Sequence, residues 1–260
     1  DLAALQAKAV LDGDHFVING QKTWTSGAQY ADWMFALVRT NPDVPKHDGI
    51  SFVLFDMHQE GVVVKPIQLI SGSSPFCETF LDNVIAHRDD LIGEMNKGWT
   101  VGKRLLQFER SGIGGLAGAN KKKVEKKRNQ LADLAKQYTG EIDTRIADQG
   151  TREKVLEHSM RERAFQLTAR RVAQENQSGK TPGAATSIFK LVGANLARNS
   201  TELKSEMMGT NGIGWEGEEF SDKELETTRN WLNSRAVTIY GGTNEVQMNI
   251  ISKRVLGLPE

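Results

Sequence analysis

Hydrophobic positions in the first third of the chain fall in short alternating or apolar runs, and turn-forming residues separate the runs. From Leu5 to about Ile85 this pattern predicts β-sheet. Phe16-Val17-Ile18, then Asn19-Gly20, then Gln21 to Trp24 reads as a hairpin, because Asn-Gly tolerates the positive φ angles of a tight turn. Further strands are predicted at Trp33 to Arg39, Ile50 to Phe55, Val62 to Ile67 and Phe76 to Val84. Their separators are Asn41-Pro42-Asp43, Gln59-Glu60-Gly61 and Ser71-Gly72-Ser73-Ser74-Pro75. About six strands without intervening helices predict a small antiparallel barrel or sandwich. After Asn96-Lys97-Gly98 the period becomes helical and stays so, over Trp99 to Tyr138, Thr151 to Gln177, Ala184 to Met208, Glu224 to Ile239 and Thr243 to Val255. The expected class is α+β: an antiparallel β-barrel domain over 1–93, followed by an all-α four-helix-bundle domain over 94–260.

Charge and composition narrow the function classes. The 260 residues carry 33 basic and 33 acidic side chains, so no net field draws in nucleic acid. With 38% hydrophobic and 25% charged residues, the chain has the composition of a folded protein with a substantial core. The single cysteine, Cys77, excludes an intrachain disulfide framework and a cysteine-rich zinc site, and five scattered histidines show no metal-ligand spacing. No metal is expected, and no run of about 18 apolar residues suggests a membrane span. Lys121-Lys122-Lys123-Val124-Glu125-Lys126-Lys127-Arg128 is read as the solvated outer face of a long helix rather than a nucleic-acid patch. Asp1-Leu2-Ala3-Ala4-Leu5 is neither an initiator methionine nor a signal peptide, and reads as a chain beginning inside a domain.

Four segments carry candidate chemistry. On a helical wheel of about 100° per residue, Val101, Leu105, Phe108, Ile113, Leu116, Leu131 and Leu134 share an apolar arc, and Glu109 falls inside it. Desolvation there would raise its pKa and make it a better base near neutrality; the alternative is a glutamate paired with Arg110 or Arg104 in the bundle. Gly112-Ile113-Gly114-Gly115 and Gly118 on the same helix imply close approach, either by another helix or by a flat ligand. Gly209-Thr210-Asn211-Gly212-Ile213-Gly214 and Tyr240-Gly241-Gly242-Thr243-Asn244-Glu245 are glycine-bearing, the second opening a helix, yet neither follows a strand as a dinucleotide fingerprint requires. Trp24-Thr25-Ser26 joins an aromatic plane to two hydroxyls at a strand end, and suits either a pocket floor or a tryptophan in the barrel core.

In this order the segments resemble the acyl-CoA dehydrogenase family over Asp1 to Leu258. Val17-Ile18-Asn19-Gly20-Gln21-Lys22-Thr23-Trp24-Thr25-Ser26-Gly27-Ala28 is similar to its NGxKxWIT motif. Ile239-Tyr240-Gly241-Gly242-Thr243-Asn244-Glu245-Val246-Gln247 is similar to its carboxy-terminal Y-x-G-T-x-E/Q motif, and Leu91 to Trp99 to its entrance to the helical bundle. The resemblance implies FAD between a middle β-barrel and a four-helix bundle. By position, Trp24, Thr25 and Ser26 would contact the flavin ring, Thr243, Asn244 and Glu245 would reach the cofactor from the last helix, and Thr40 would touch CoA. Glu206, Gly209 and Thr210 stand where the family has a cofactor-binding Gln-x-x-Gly-Gly stretch.

Many members carry the catalytic glutamate in Tyr-Glu-Gly-Thr, but here that position is Gly241. A minority branch, including the isovaleryl and long-chain enzymes, places the base in a Glu-Arg pair on the first bundle helix, and Gln107-Phe108-Glu109-Arg110 resembles it. Glu109 is therefore the expected base, with Gln107, Phe108, Arg110 and Gly241 lining the substrate. The implied reaction is α,β-dehydrogenation of an acyl-CoA thioester to trans-2-enoyl-CoA, as in fatty-acid β-oxidation. Electron-transferring flavoprotein would be the acceptor, in a dimeric or tetrameric homo- or hetero-oligomer of the bacterial cytoplasm or mitochondrial matrix. The family's amino-terminal helical domain has no counterpart in this sequence, nor has its Arg-x-x-Phe-Gly loop in Asp148 to Glu157. These departures lean toward members that handle dicarboxylic or ring-bearing acyl groups. The alternatives are an acyl-CoA oxidase or flavin monooxygenase on the same fold, or an inactive fragment or subunit.

Overall fold

The computed structural model describes residues 1–115, 129–177 and 185–259, and at 107, 109–115, 176–177 and 185–186 the backbone alone. Two compact units divide the chain, Asp1–Glu109 and Arg110–Glu260.

The first unit is built on six strands: β1 (Lys8–Asp12), β2 (His15–Ser26), β3 (Trp33–Arg39), β4 (Ile50–Asp56), β5 (Val62–Ile67) and β6 (Phe76–His87). Their hydrogen-bonded order is β4-β3-β1-β2-β6-β5. The expected antiparallel barrel is corrected here, because β1 and β3 run parallel and the ladder ends at β4 and β5, leaving a mixed, open sheet. The parallel junction is a single register pair, Lys8 with Arg39, backed by Arg39 N donating to the Ala7 carbonyl at 2.7 Å and its guanidinium to the Ala3 carbonyl at 2.6 Å. So thin a joint lets the sheet fold over itself. Phe16 and Ile18 of β2, Val38 of β3, Phe55 of β4, and Leu81 and Val84 of β6 meet in one buried core.

The Asn19-Gly20 hairpin is also corrected. The turn lies earlier, at Gly13-Asp14, where Asp12 pairs with His15, and β2 then runs unbroken through Asn19 and Gly20. Both residues serve a bulge instead. Between the pairs Ile18–Val84 and Gly20–Leu81, β6 holds one residue more than β2, and Asn83 takes φ 54°. Asn19 grips it from both sides: its amide donates to Asn83 Oδ1 at 3.1 Å, and its Oδ1 accepts from Asn83 N at 2.9 Å. The extra residue reverses the phase of side-chain alternation, so Cys77, Thr79 and Leu81 face the core before it, and Val84 and Ala86 after it. Gly20, at φ 143°, lies so close to Ala7 that an added Cβ would stand 2.7 Å from its Cα.

Helix α1 (Gly98–Gly115) starts from an anchored loop. Ile92 N donates to the Phe52 carbonyl at 2.8 Å, Lys97 bridges to Ile50, and a Cβ on Gly98 would come within 2.3 Å of the Ser51 carbonyl carbon.

Among its described residues, the regular structure of the second unit is helical apart from the two-residue strands β7 (Glu141–Ile142) and β8 (Arg145–Ile146). Its helices are α2 (Gln130–Thr139), α3 (Gln149–Gln177), α4 (Ala185–Met208), α5 (Asp222–Asn233) and α6 (Asn244–Ile250), and α4 touches the other four. Asn129 caps α2 by accepting from Ala132 N, so the expected single helix from Trp99 to Tyr138 restarts there. The basic run 121–128, together with Leu116 and Gly118, lies outside the described residues. Gly193 of α4 lets the Phe165 ring of α3 approach, as its Cβ would sit 3.3 Å from the ring, and Phe165 meets Phe189 edge-on at 5.8 Å.

Glu224 joins three elements of this unit. Its carboxylate accepts from Tyr138 Oη at 2.7 Å, Asn211 Nδ2 at 2.6 Å, and Ser221 N and Oγ at 2.7 and 2.8 Å. The Ser221 backbone and these side-chain donors hold its pKa down at about 2, below its ordinary 4.5, while burial and the Glu224 bond push the Tyr138 phenol up to about 12 from 10.0.

Two predictions follow from this packing. Gly98→Ala and Gly20→Ala should each lower stability by about 1–3 kcal/mol through overpacking against backbone, read as a drop in the denaturant midpoint; an unchanged midpoint would contradict the close approaches. The stability that Glu224 contributes is present above about pH 4.5 and is lost as pH falls toward about 2. Tyr138 contributes below about pH 10, and its share is lost as pH rises through about 12. Glu224→Gln should therefore lower the thermal midpoint at pH 7 by several degrees and flatten its acid dependence, as measured by circular dichroism melts across pH.

Candidate active site

The second irregularity of the β2–β6 pairing sets the candidate residues of the first unit. Between Thr23–Glu78 and Thr25–Cys77 the extra residue is on β2, and it is Trp24, at φ 63°. That conformation costs a side-chain-bearing residue about 1–2 kcal/mol, so its neighbours must hold it. Thr25 Oγ1 donates to the Cys77 carbonyl at 2.9 Å and bonds Thr79 Oγ1 at 2.9 Å, Gly27 N donates to the Pro75 carbonyl at 3.0 Å, and Phe76 meets the indole edge-on at 6.0 Å. The bulge turns the indole outward, 61% exposed, which discards the core-tryptophan reading. Ser26 ends the strand opposite Phe76, also exposed.

Thr40, just after β3, bonds inside the first unit. Its hydroxyl donates to Asn96 Oδ1 at 2.6 Å and bonds Ser51 Oγ at 2.7 Å, and Asn96 N donates to that same Ser51 oxygen at 2.9 Å. The closed triad fixes Asn96 at φ 66° two residues before α1, so Thr40 positions the helix that carries Glu109. Gln107, Glu109 and Arg110 are helical in backbone, and their side chains lie outside the described residues. Phe108 is 62% exposed, with the Arg104 guanidinium 4.7 Å over its ring.

In the second unit, Gly241 and Gly242 at φ 64° and 92° reverse the chain, and Thr243 Oγ1 then caps α6 by accepting from Val246 N at 3.2 Å. Asn244 donates to Asn195 Oδ1 at 3.0 Å, but its own Oδ1 is buried without a partner among the described residues. Gln247, only 3% exposed, shares this condition at Oε1, and its amide nitrogen sits 2.5 Å from where a Gly242 Cβ would stand. Glu245 is exposed, and its own backbone N–H and Thr243 hold its carboxyl below the usual range. Lys190 donates to the Val237 carbonyl at 2.6 Å, 5.7 Å from the centre of the Tyr240 ring, and burial pushes its pKa down.

Glu206, Gly209 and Thr210 are not brought to this turn. Glu206 pairs with Lys154, Gly209 ends α4 at φ 57°, and Thr210 is exposed in the following turn. Two polar groups were overlooked in the sequence. Lys22, inside the NGxKxW stretch, donates to the Leu37 carbonyl at 2.5 Å, and burial lowers its pKa to about 8. Gln247 was signalled only by falling four residues after Thr243, on the same face of α6.

Comparison with known proteins bears on both units. Residues 1–84 match the family model for the acyl-CoA dehydrogenase middle domain, and residues 96–256 that for the acyl-CoA dehydrogenase C-terminal domain. The acyl-CoA dehydrogenase IpdE1 of Mycobacterium tuberculosis is 37% identical over all of this chain, which spans 64% of that relative's length. Among solved structures, the ChsE4-ChsE5 complex from Mycobacterium tuberculosis is 30% identical at a TM-score of 0.80, covering 100% of this chain and 66% of that one. The Tcur3481-Tcur3483 steroid ACAD is 26% identical at a TM-score of 0.84, covering 100% and 65%. With both its sheet unit and its helical unit matched, the chain belongs to the acyl-CoA dehydrogenase family, whose members are FAD-dependent oxidoreductases.

Proposed function

We propose that this chain supplies the middle and carboxy-terminal parts of an acyl-CoA dehydrogenase that converts an acyl-CoA thioester to the trans-2-enoyl-CoA, with Glu109 as the base. The observation that carries the reading is Trp24, held outward in a left-handed bulge that serves no core packing. Such stored strain is a mark of a ligand-contacting residue.

The residues present fit FAD. An outward indole offers a flat apolar surface to a ring, Ser26 adds a polar group beside it, and Asn244 Oδ1 and Gln247 Oε1 are buried acceptors awaiting donors. Trp24, Thr25, Ser26, Thr243, Asn244 and Glu245 are the residues proposed to hold the cofactor. When bound, FAD supplies the acceptor for the hydride that leaves the substrate β-carbon.

The chain's own part is proton removal and positioning. Gly241 offers no side chain at the commoner base position, so the role falls to Glu109 on the apolar arc of α1. Desolvation raises the affinity of a carboxylate for a proton, which suits it to take the α-proton and hold it. The Thr40–Ser51–Asn96 triad fixes where α1 begins, and with it the register of Glu109.

The acyl group is proposed to be ring-bearing rather than a simple fatty chain, on the likeness to a steroid ACAD. Assembly with a second chain is proposed on the likeness to the ChsE4-ChsE5 complex, and electron-transferring flavoprotein is proposed as the electron acceptor on the family membership alone.

Glu109→Gln should leave the flavin spectrum intact while slowing anaerobic bleaching by acyl-CoA about 10²–10⁴-fold, measured by stopped-flow absorbance; bleaching at the wild-type rate would sink the assignment. Trp24→Gly should hold or raise the thermal midpoint, since it relieves a positive φ, yet weaken FAD uptake in a fluorescence titration. A variant that melts lower and binds FAD unchanged would make Trp24 structural.

A further inference from the structure

Lys22 sits on β2 two residues before the outward Trp24, and it shares the inward side of the strand with Phe16 and Ile18. Burial draws its pKa from 10.5 down to about 8, with no carboxylate among the described residues set against that effect. A charge held from water without a counter-ion costs stability, so the one bond it makes is what holds it there. We propose that Lys22 is a positioning residue, tying the strand end that presents Trp24 to the helix that carries Glu109. The inference rests on the dehydrogenase reading for the roles of those two residues, and on the first unit alone for the tie between them.

The tie runs through Leu37. Because Arg39 N donates to the Ala7 carbonyl, Leu37, two residues earlier on β3, turns its own carbonyl to that same edge. The pairing of β1 with β3 consists of the Lys8–Arg39 pair and does not extend to Leu37. Lys22 takes the place of a strand neighbour there, donating to the Leu37 carbonyl at 2.5 Å. Gly20 makes the reach possible, since it lies against Ala7 with no side chain between them and so brings β2 close to this edge.

The Leu37 side chain completes the path. Its Cδ1 stands 3.2 Å from where a Cβ on Gly102 of α1 would be, much as the Ser51 backbone stands to Gly98. Gly98 and Gly102 are four residues apart and share one face of the helix. Ser51 pairs with Val38, so the two contacts fall on the neighbouring strands β4 and β3. Helix α1 therefore rests on the sheet at two points about one turn apart. The Thr40–Ser51–Asn96 triad secures the first, and Lys22 secures the second. One point fixes where a helix begins, and two fix its direction. Glu109 comes seven residues after Gly102, about two turns and roughly 10 Å along the axis, so a tilt at the second point is enlarged there.

The test compares Lys22→Met, Lys22→Arg and Leu37→Ala with the wild-type protein. Hydrogen exchange reads the tie without any cofactor. Lys22→Met should speed exchange at the amides of β3 and of residues 99–106, whereas Leu37→Ala, which keeps the carbonyl but cuts the contact with Gly102, should speed it in α1 alone. In stopped-flow bleaching by acyl-CoA, Lys22→Met should lower the limiting rate about 10-fold through misplacement of the base, with FAD uptake and the half-saturating substrate concentration unchanged. Lys22→Arg, which still offers the carbonyl a donor, should recover most of that loss. Faster exchange confined to β3, a wild-type limiting rate in Lys22→Met, or a Lys22→Arg variant as slow as Lys22→Met would overturn the inference. Should Lys22→Met fail to fold, Leu37→Ala decides: a reduced limiting rate with faster exchange in α1 supports the tie, and unaltered values overturn it. A wild-type protein that takes up no FAD, or is not bleached, removes the dehydrogenase reading, while exchange in α1 still decides the tie.

Discussion

The pairing of β2 with β6 is the constraint on which the first unit depends. Both strands are twelve residues long and run antiparallel with two slips in register, one on each strand. The slip on β6 keeps the core continuous while the alternation changes phase, and the slip on β2 turns Trp24 out of the sheet. Without the Asn19–Asn83 amide pair the first slip would lose its lock, and the strand end carrying Trp24, Thr25 and Ser26 would lose its register against Cys77 and Phe76. Packing and site geometry are thus set by the same ladder.

A second theme is that polar side chains next to the candidate site act on backbone. Thr25 holds the Cys77 carbonyl, Lys22 the Leu37 carbonyl, Thr40 and Ser51 the Asn96 turn, and Thr243 the first turn of α6. All but the Lys22 bond, which holds the regular strand β3, lie beside residues with positive φ or glycine. Left without such bonds are the outward Trp24 indole and the buried amide oxygens of Asn244 and Gln247. In the second unit Glu224 plays the equivalent part, since four hydrogen bonds to Tyr138, Asn211 and Ser221 tie α2, the turn after α4 and α5 together.

Much of the fold was legible locally. The bounds of β3 and β5 coincide with the predicted Trp33 to Arg39 and Val62 to Ile67, because short runs rich in β-branched and aromatic residues between turn-forming segments leave few other options. The helical character after Gly98 was equally plain. Closure of the sheet was not legible, because it depends on which distant strands exchange hydrogen bonds, and a single parallel pair between β1 and β3 replaced the expected barrel.

The sequence by itself determined that a tryptophan and two hydroxyls occupy one strand end, that glycine stands at 241, and that Glu109 shares a helical arc with Val101, Leu105 and Phe108. These are matters of residue identity and period, which no packing can alter. Only the tertiary structure decided that Asn19-Gly20 makes a bulge instead of a turn, that Trp24 faces outward, and that the Thr40 hydroxyl is engaged by Ser51 and Asn96. The physical reason is the same in each case. A positive φ or a hydroxyl satisfies several local geometries equally well, and the choice among them falls to partners far away in the chain: Ala7 and Asn83 for the bulge, Cys77 and Phe76 for the tryptophan, and Asn96 for the threonine.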